Sequence, residues 1–391
     1  MEMTGYKRTE VGVIPVDWEA TPLRVIGTPV RGGSPRPAGD PRYFDGSYIP
    51  WLTVASLTNI PNHQLLVTET ATYLTEEGSR HSRTLEIGTL IIANSGATLG
   101  IAKILGVKCC ANDGIAAVLN IAKDVCPSYL AHFINMKTDY LREVVATGNG
   151  QPNLNTTLIG DVMIPLPPTR NEQEAIARAL GDADALIESL ERLIEKKRDL
   201  KQAAMQRFLT GLRRLPGFTK KWESKPLRDV LKVRHGKTQH GVVSSSGEYP
   251  ILATSGEIGR TNQYLYDKPS VLIGRKGTID SPQYVESPFW TIDTLFFTEI
   301  FNNADPKFIF YKFSLIDWRS YNEASGVPSL NASTIENIEI VCPCLDEQIA
   351  ISTVLSDMDV EIAALEARCD KTRAIKEGMT QELLTGKTRL L

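Results

Sequence analysis

The nine residues "KVRHGKTQH" from Lys232 to His240 carry five cationic or imidazole side chains and no acid. The glycine inside the run argues for a loop rather than a helix face. On such a loop Lys232, Arg234, His235, Lys237 and His240 can meet phosphate oxygens, and the Gln239 amide suits the paired donor and acceptor of adenine. Further along, "SGEIGR" ends at Arg260, and "IGRKGT" sets Arg275 and Lys276 on a strand-to-turn edge. Arginine is the commonest reader of guanine, through its paired donors. A solvated loop or a surface ion pair explains the same residues without any ligand.

The N-terminal half holds counterparts. "VRGGSPRPAGDPRYF" places Arg31, Arg36, Arg42 and Tyr43 in a Gly/Pro-rich loop opposed only by Asp40. "ANSGATLG" supplies Asn94, Ser95 and Thr98, short polar groups able to bond a base edge or a phosphate. Trp51 and Tyr48, in "SYIPWLTV", are expected in the core because their neighbours are apolar.

Catalytic machinery is not recognisable. "GKT" occurs at Gly236 and Gly386, but a phosphate-binding P-loop needs a glycine five positions earlier, where Leu231 and Gln381 stand. The only Pro-Pro, in "PLPPTR", lacks the Asn/Asp and the aromatic residue that an adenine methyltransferase needs to hold a flipped base. "GxSxG" and "HExxH" do not occur. The six cysteines lack C-x-x-C spacing and no histidine follows at ligand distance, so inert thiols are expected rather than a metal site. The chain is expected to be a non-enzyme.

These residues sit in a repeating frame. Each half opens alike, "WEATPLRVI" from Trp18 and "WESKPLRDV" from Trp222. Each then has a β-like run with a glycine turn, "LIIANSGATLG" and "VLIGRKGTID", and a Pro-x-Leu-Asn element, "QPNLNTTLIGDVMIPLPP" from Gln151 and "VPSLNASTIENIEIVCPC" from Val327. A long charged segment follows, closing in "AAMQRFLTG" at Gly211 or "GMTQELLTG" at Gly386. The order module, helix, module, helix gives boundaries at 1–168, 169–212, 213–343 and 344–391. Both helical segments carry one apolar stripe with steps of four and three: Ile176, Leu180, Ala183, Ile187, Leu190 and Ile194, then Ile351, Leu355, Met358, Ile362, Leu365 and Cys369. Chain order makes the pairing antiparallel, with a pseudo-twofold internal repeat. The expected fold class is α+β: two mixed α/β modules separated by two long helices forming an antiparallel coiled coil.

The net charge is −3, unusual for a nucleic-acid partner, but residues 213–343 are net positive, with 16 basic against 14 acidic side chains. Any such contact must use local patches. The opening "MEMTGYKRTEVGVIPVDWE" has no apolar stretch and no run approaches transmembrane length, so a cytoplasmic location is expected.

With its paired "W-E-x-x-P-L" openings, "GTLIIANSGATLG", "YPILATSGEIG", "SVLIGRKGTI" and the "P-x-L-N…IPLPP…EQ" passage into each helix, the whole chain resembles the specificity subunits of type I restriction–modification systems, the HsdS family. One departure is "VCPCLDEQ", which stands for the commoner "PLPPLxEQ". The resemblance implies two target recognition domains, each reading half of a bipartite, asymmetric double-stranded DNA target, with the helices as spacer. It also implies two methyltransferase subunits, carrying S-adenosylmethionine, and restriction subunits using ATP and Mg, with no cofactor in this chain. A non-catalytic coiled-coil adaptor without sequence-specific DNA binding is the competing reading.

Overall fold

A computed structural model describes residues 5–61, 63–146 and 152–390. Gln151, first residue of the N-terminal Pro-x-Leu-Asn motif, lies outside them. The chain forms two compact units, Met1–Arg192 with Glu366–Leu391, and Leu193–Leu365. The divisions fall inside the two long helices, Arg170–Leu209 and Leu345–Leu383.

The first unit begins with a hairpin of β1 (Tyr6–Thr9) and β2 (Gly12–Pro15). The Trp-Glu phrase runs into β3 (Glu19–Pro22), which pairs antiparallel with β13 (Met163–Leu166) just before the first long helix. Between them lies a five-stranded sheet in the order β4 (Thr28–Arg31), β12 (Ile115–Leu119), β9 (Leu90–Ala93), β10 (Ala102–Leu105) and β6 (Leu66–Val67). A second sheet orders β7 (Thr72–Leu74), β5 (Ile49–Leu52), β11 (Cys109–Ala111) and β8 (Arg83–Leu85). The unbroken apolar runs "LIIA" and "IAAV" are what strands covered on both faces require, and both are buried. Helix Pro127–Met136 lays Tyr129, Leu130, Phe133 and Ile134 into the same core as Ile176, Leu180, Leu383 and Leu384.

The second unit repeats this plan. β14 (Glu223–Pro226) pairs with β22 (Glu339–Cys342). One sheet orders β15 (Leu231–His235), β21 (Leu295–Ile300), β18 (Ser270–Gly274) and β19 (Gln283–Val285). The other orders β17 (Gly256–Thr261), β16 (Tyr249–Ala253) and β20 (Trp290–Thr291). Helix Pro306–Phe313 packs Phe308, Ile309 and Phe313 against Val271, Ile273, Ile351 and Leu355.

The two Pro-x-Leu-Asn elements have a local cause. Asn155 and Asn331 are N-caps: Asn155 accepts from the Leu158 amide at 2.9 Å and Asn331 from the Ser333 amide at 3.0 Å, each starting a five-residue helix. Leu154 and Leu330 just before them are buried in their cores.

Within each unit the long helices run antiparallel. In the first, Lys376 pairs with Asp184, and Arg373 with Glu191 at 2.6 Å. In the second, Lys201 pairs with Asp359, and Lys197 with Glu361 at 2.6 Å. In both, partners rise along one helix as they fall along the other. The apolar stripe is divided by position: Ile176 and Leu180 enter the first module's core, and Ile351, Leu355 and Met358 line the second's. Farther on, Ile187, Leu190, Ile194, Ile362 and Cys369 are buried, whereas Ala183 and Leu365 are half-buried.

Each long helix closes on a glycine with positive φ, Gly211 at +74° and Gly386 at +71°. Beyond them the Arg213 amide returns to the Arg207 carbonyl and the Thr388 amide to the Glu382 carbonyl, so both helices end with the same reversal around their glycine. Tyr48 departs from its expected place in the core. It is 62% exposed because it precedes β5 on the solvent side, and only the following Ile49, Trp51 and Leu52 are buried.

Candidate nucleic-acid interface

In each module one passage from the smaller sheet to the larger, β11 to β12 in module one and β20 to β21 in module two, forms a tight crossing. In module one the Asn112 amide donates to the Leu52 carbonyl, the Gly32 amide to Ile115 and the Gly33 amide to Ala111. In module two the Ile292 amide donates to Leu252, the Gly236 amide to Leu295 and the Lys237 amide to Thr291. The bonds match one for one, so Gly32 corresponds to Gly236 and Asp113 to Asp293.

The glycines are there for closeness. A Cβ at Gly32 would lie 2.1 Å from the Asn112 carbonyl oxygen, and one at Gly236 would lie 1.9 Å from that of Ile292. Backbone on backbone leaves no room for any other residue. The glycine of the first "GKT" therefore serves a strand crossing, and that of the second ends a helix against Pro15 and Trp18.

A turn completes the crossing. In module one the Asn94 amide donates to Gly114, Leu154 returns to the Asn94 carbonyl, and Ser95 bridges to Asn153. In module two the Arg275 amide donates to Thr294, Leu330 returns to the Arg275 carbonyl, and Lys276 bridges to Ser329. Gly96 and Gly277 take positive φ at the same step. Asn94 thus corresponds to Arg275, and the Pro-x-Leu-Asn elements back this turn.

The sequence-derived residues sort themselves on this scaffold. In module one Arg31 is exposed, its Nε donating to the Asp113 carbonyl at 2.6 Å. Arg36 reaches the Asp113 carboxylate at 3.4 Å. Ser34, donating to that carboxylate at 2.7 Å, is the main cause holding it below the usual range. Arg42 is paired with Asp40 at 2.7 Å and covers the buried Tyr43 ring. Asn94 is only 2% exposed, its Nδ2 donating to the Asp113 carbonyl at 3.2 Å. Ser95 is half-buried and Thr98 buried. Tyr43, Asn94 and Thr98 therefore face the interior, where turn and core packing use them, and no ligand can reach them in this conformation.

In module two Lys232 pairs with Glu336 at 3.1 Å, Arg234 with Glu299 at 2.9 Å and Arg260 with Glu257 at 3.0 Å. His235 is exposed and meets Phe296 edge-on. Lys237, His240 and Lys276 are exposed, and Gln239 is half-buried. Arg275 donates through Nη1 to the Asp293 carbonyl at 3.1 Å. The crossing gathers Arg31, Arg36, Asn94 and Ser95 in module one. In module two it gathers His235, Lys237, Arg275 and Lys276. Arg42, Arg234 and Arg260 are instead occupied by acids of their own module.

Sequence reasoning missed Arg83, exposed beside the first crossing with its Nε donating to the Arg31 carbonyl at 2.9 Å. The signal was "SRHSRT", a short basic run. It also missed two clasps beneath the modules. Arg214 grips the fully buried Glu347 with two bonds of 2.5 Å, and the Trp222 indole donates to the same carboxylate at 3.2 Å. Arg389 grips Glu172, and Asp17 through two bonds of 3.0 Å. Each guanidinium lies 5.6 Å from a tryptophan ring, Trp222 or Trp18. The repeated "TGxxR" and "EQ" carried that signal.

Comparison with known proteins finds the same repeat. The family model described as the type I restriction modification DNA specificity domain matches residues 15–196 and 219–372. The type I restriction enzyme MjaIX specificity subunit of Methanocaldococcus jannaschii is 29% identical over 250 residues, 60% of this chain and 56% of that protein. The MjaVIII specificity subunit of the same organism is 23% identical over 428 aligned positions, 96% of this chain and 94% of that protein. Among solved structures, the type I restriction–modification S subunit from M. genitalium aligns over 94% of this chain and 96% of its own, with a TM-score of 0.67 at 14% identity. A chain from a study of type I R-M complex assembly and conformational transition aligns over 96% of this chain and 99% of its own, with a TM-score of 0.56 at 16% identity. The fold is thus shared with proteins whose sequences have diverged widely, while the domain model matches both modules in turn. The chain belongs to the type I restriction–modification DNA specificity family and carries two copies of its domain.

Proposed function

We propose that the chain is the DNA sequence-specificity subunit of a type I restriction–modification complex, each module reading one half of a bipartite, asymmetric target. One observation carries this reading: a single backbone crossing, bonded identically in both modules, presents different side chains at matched positions. Arg31 stands where His235 does and Gly33 where Lys237 does, and the half-exposed Arg275 of module two has only the buried Asn94 at its place in module one. A palindrome would need the same surface twice; two different surfaces on one scaffold suit two different half-sites.

In this reading the long helices set the spacer and dock two methyltransferase subunits, with S-adenosylmethionine on those subunits. Restriction subunits join with ATP and Mg. The chain itself does no chemistry and works in the cytoplasm. DNA contact falls to the cations left at the crossings, supplemented by Lys237 and Lys276.

The test is a salt titration of the chain, co-purified with a type I methyltransferase subunit, on a randomised duplex pool. About six phosphate contacts give a log–log slope of about −5. The reading requires that slope together with enrichment of a two-part motif. An adaptor without sequence-specific binding gives neither.

A further inference from the structure

Five cations near the crossings are cancelled by a carboxylate: Arg36 by Asp113, Arg42 by Asp40, Lys232 by Glu336, Arg234 by Glu299 and Arg260 by Glu257. Lys237 and Lys276, by contrast, are exposed, and Arg83 donates to the Arg31 carbonyl. Arg31 and Arg275 are held differently. Arg31 donates through Nε to the carbonyl of Asp113 at 2.6 Å, and Arg275 through Nη1 to the carbonyl of Asp293 at 3.1 Å. The Asp113 carboxylate lies near enough to Arg31 to feel its charge, but its oxygens are engaged by Ser34 and Arg36.

Those two carbonyls are the same point of the scaffold, fixed by the matched backbone bonds of Gly32 and Gly236 and of Asn94 and Arg275. The arginines nevertheless arrive from different strands. Arg31 ends β4, where module two has His235 at the end of β15; Arg275 follows β18, where module one has Asn94 after β9. Asn94 spends its amide on the same Asp113 carbonyl. Each module thus brings an arginine to one anchor by its own route.

A neutral carbonyl orients a guanidinium without cancelling its charge. With Nε committed, Arg31 has its Nη1/Nη2 fork to offer; with Nη1 committed, Arg275 has the Nε/Nη2 edge. Either edge matches a pair of acceptors such as guanine O6 and N7. We infer that Arg31 and Arg275 are the paired base-reading arginines of the two half-sites. The inference rests on the DNA-reading function proposed above and assigns its guanine-type contacts.

The experiment is selection from a randomised duplex pool by the chain with its co-purifying methyltransferase subunit, using wild type, Arg31→Ala, Arg31→Lys, Arg275→Ala and Arg275→Lys. Thermal melting checks that each variant folds. Arg31→Ala is expected to relax one base position in one half by about tenfold or more, and Arg275→Ala one position in the other half, with everything else retained. The lysine variants keep the charge and lose the fork, so they should relax the same positions. Folded variants that weaken all sequences evenly would reduce both arginines to phosphate contacts and overturn the assignment. Loss in the same half, or lysine variants with full preference, overturns it as well. If the wild type selects no two-part sequence, the function itself fails, and that result is read before any variant.

Discussion

Asn94 and Arg275 occupy one place in two copies of the same fold. Their backbone bonds are identical, yet one side chain is a buried amide and the other a half-exposed guanidinium. The helix starting at Pro127 and its counterpart at Pro306 differ likewise at their sixth residues, His132 and Tyr311. Tyr311 donates to Asp359 at 2.7 Å, while His132 Nε2 is buried without a partner among the described residues and lines the same cleft as Asp184, the match of Asp359. Identity is kept where the backbone must bond to itself. Difference collects where side chains face solvent or fill a neighbour's gap.

The comparison breaks most severely at the crossings. Gly32→Ala and Gly236→Ala each force a Cβ into a carbonyl oxygen, so each should cost about 3 kcal/mol or more. Chemical denaturation of the two variants should show comparable losses, each in its own unit. A tolerated alanine in either would mean that the two crossings are not one device.

The clasps should differ by a smaller margin. Removing one partner of a buried ion pair costs about 3 kcal/mol when the other charge stays buried. Arg214→Ala strands Glu347, which still keeps the Trp222 indole donor. Arg389→Ala strands the buried Glu172, to which the Trp18 indole makes no bond among the described residues, while the exposed Asp17 stays solvated. Arg389→Ala should therefore be the more damaging of the two, by about 1 kcal/mol. Equal midpoint shifts in urea would remove that distinction.

His132 sharpens the contrast through pH. Burial, aided by Lys376, pushes its imidazole down to about 4 from the ordinary 6.5. The folded state then holds fewer protons than the unfolded one between those values, so the stability due to the neutral ring is present above pH 6.5 and drains as pH falls toward 4. At pH 5 the loss is about 2 kcal/mol. His132→Tyr, which copies Tyr311, should flatten the stability profile of the first unit across that window. An unchanged slope would remove His132 as its cause.

Much of this fold was legible in the sequence because its signals are local. The helix stripes, the glycine ends, the apolar β runs and the capping asparagines each act within a few residues of themselves. The candidate interface was legible only as composition. Whether a cation is spent on an acid or kept for a ligand depends on partners 65 residues away for Arg234 and 104 for Lys232, which no local pattern announces. Arg42 and Arg260 read like Arg31 in sequence, yet acids two and three positions away occupy them. Tyr48 was misplaced because a strand's first neighbour can point either way until the register is known.

Adenine methylation across a whole genome tests the central claim most directly. The chain would be expressed with a type I methyltransferase subunit in a host without methylation, and native DNA sequenced with and without it. Two modules reading different half-sites predict one asymmetric, two-part motif that disappears when the chain is omitted. A palindromic motif, a one-part motif, or methylation indifferent to the chain would contradict it.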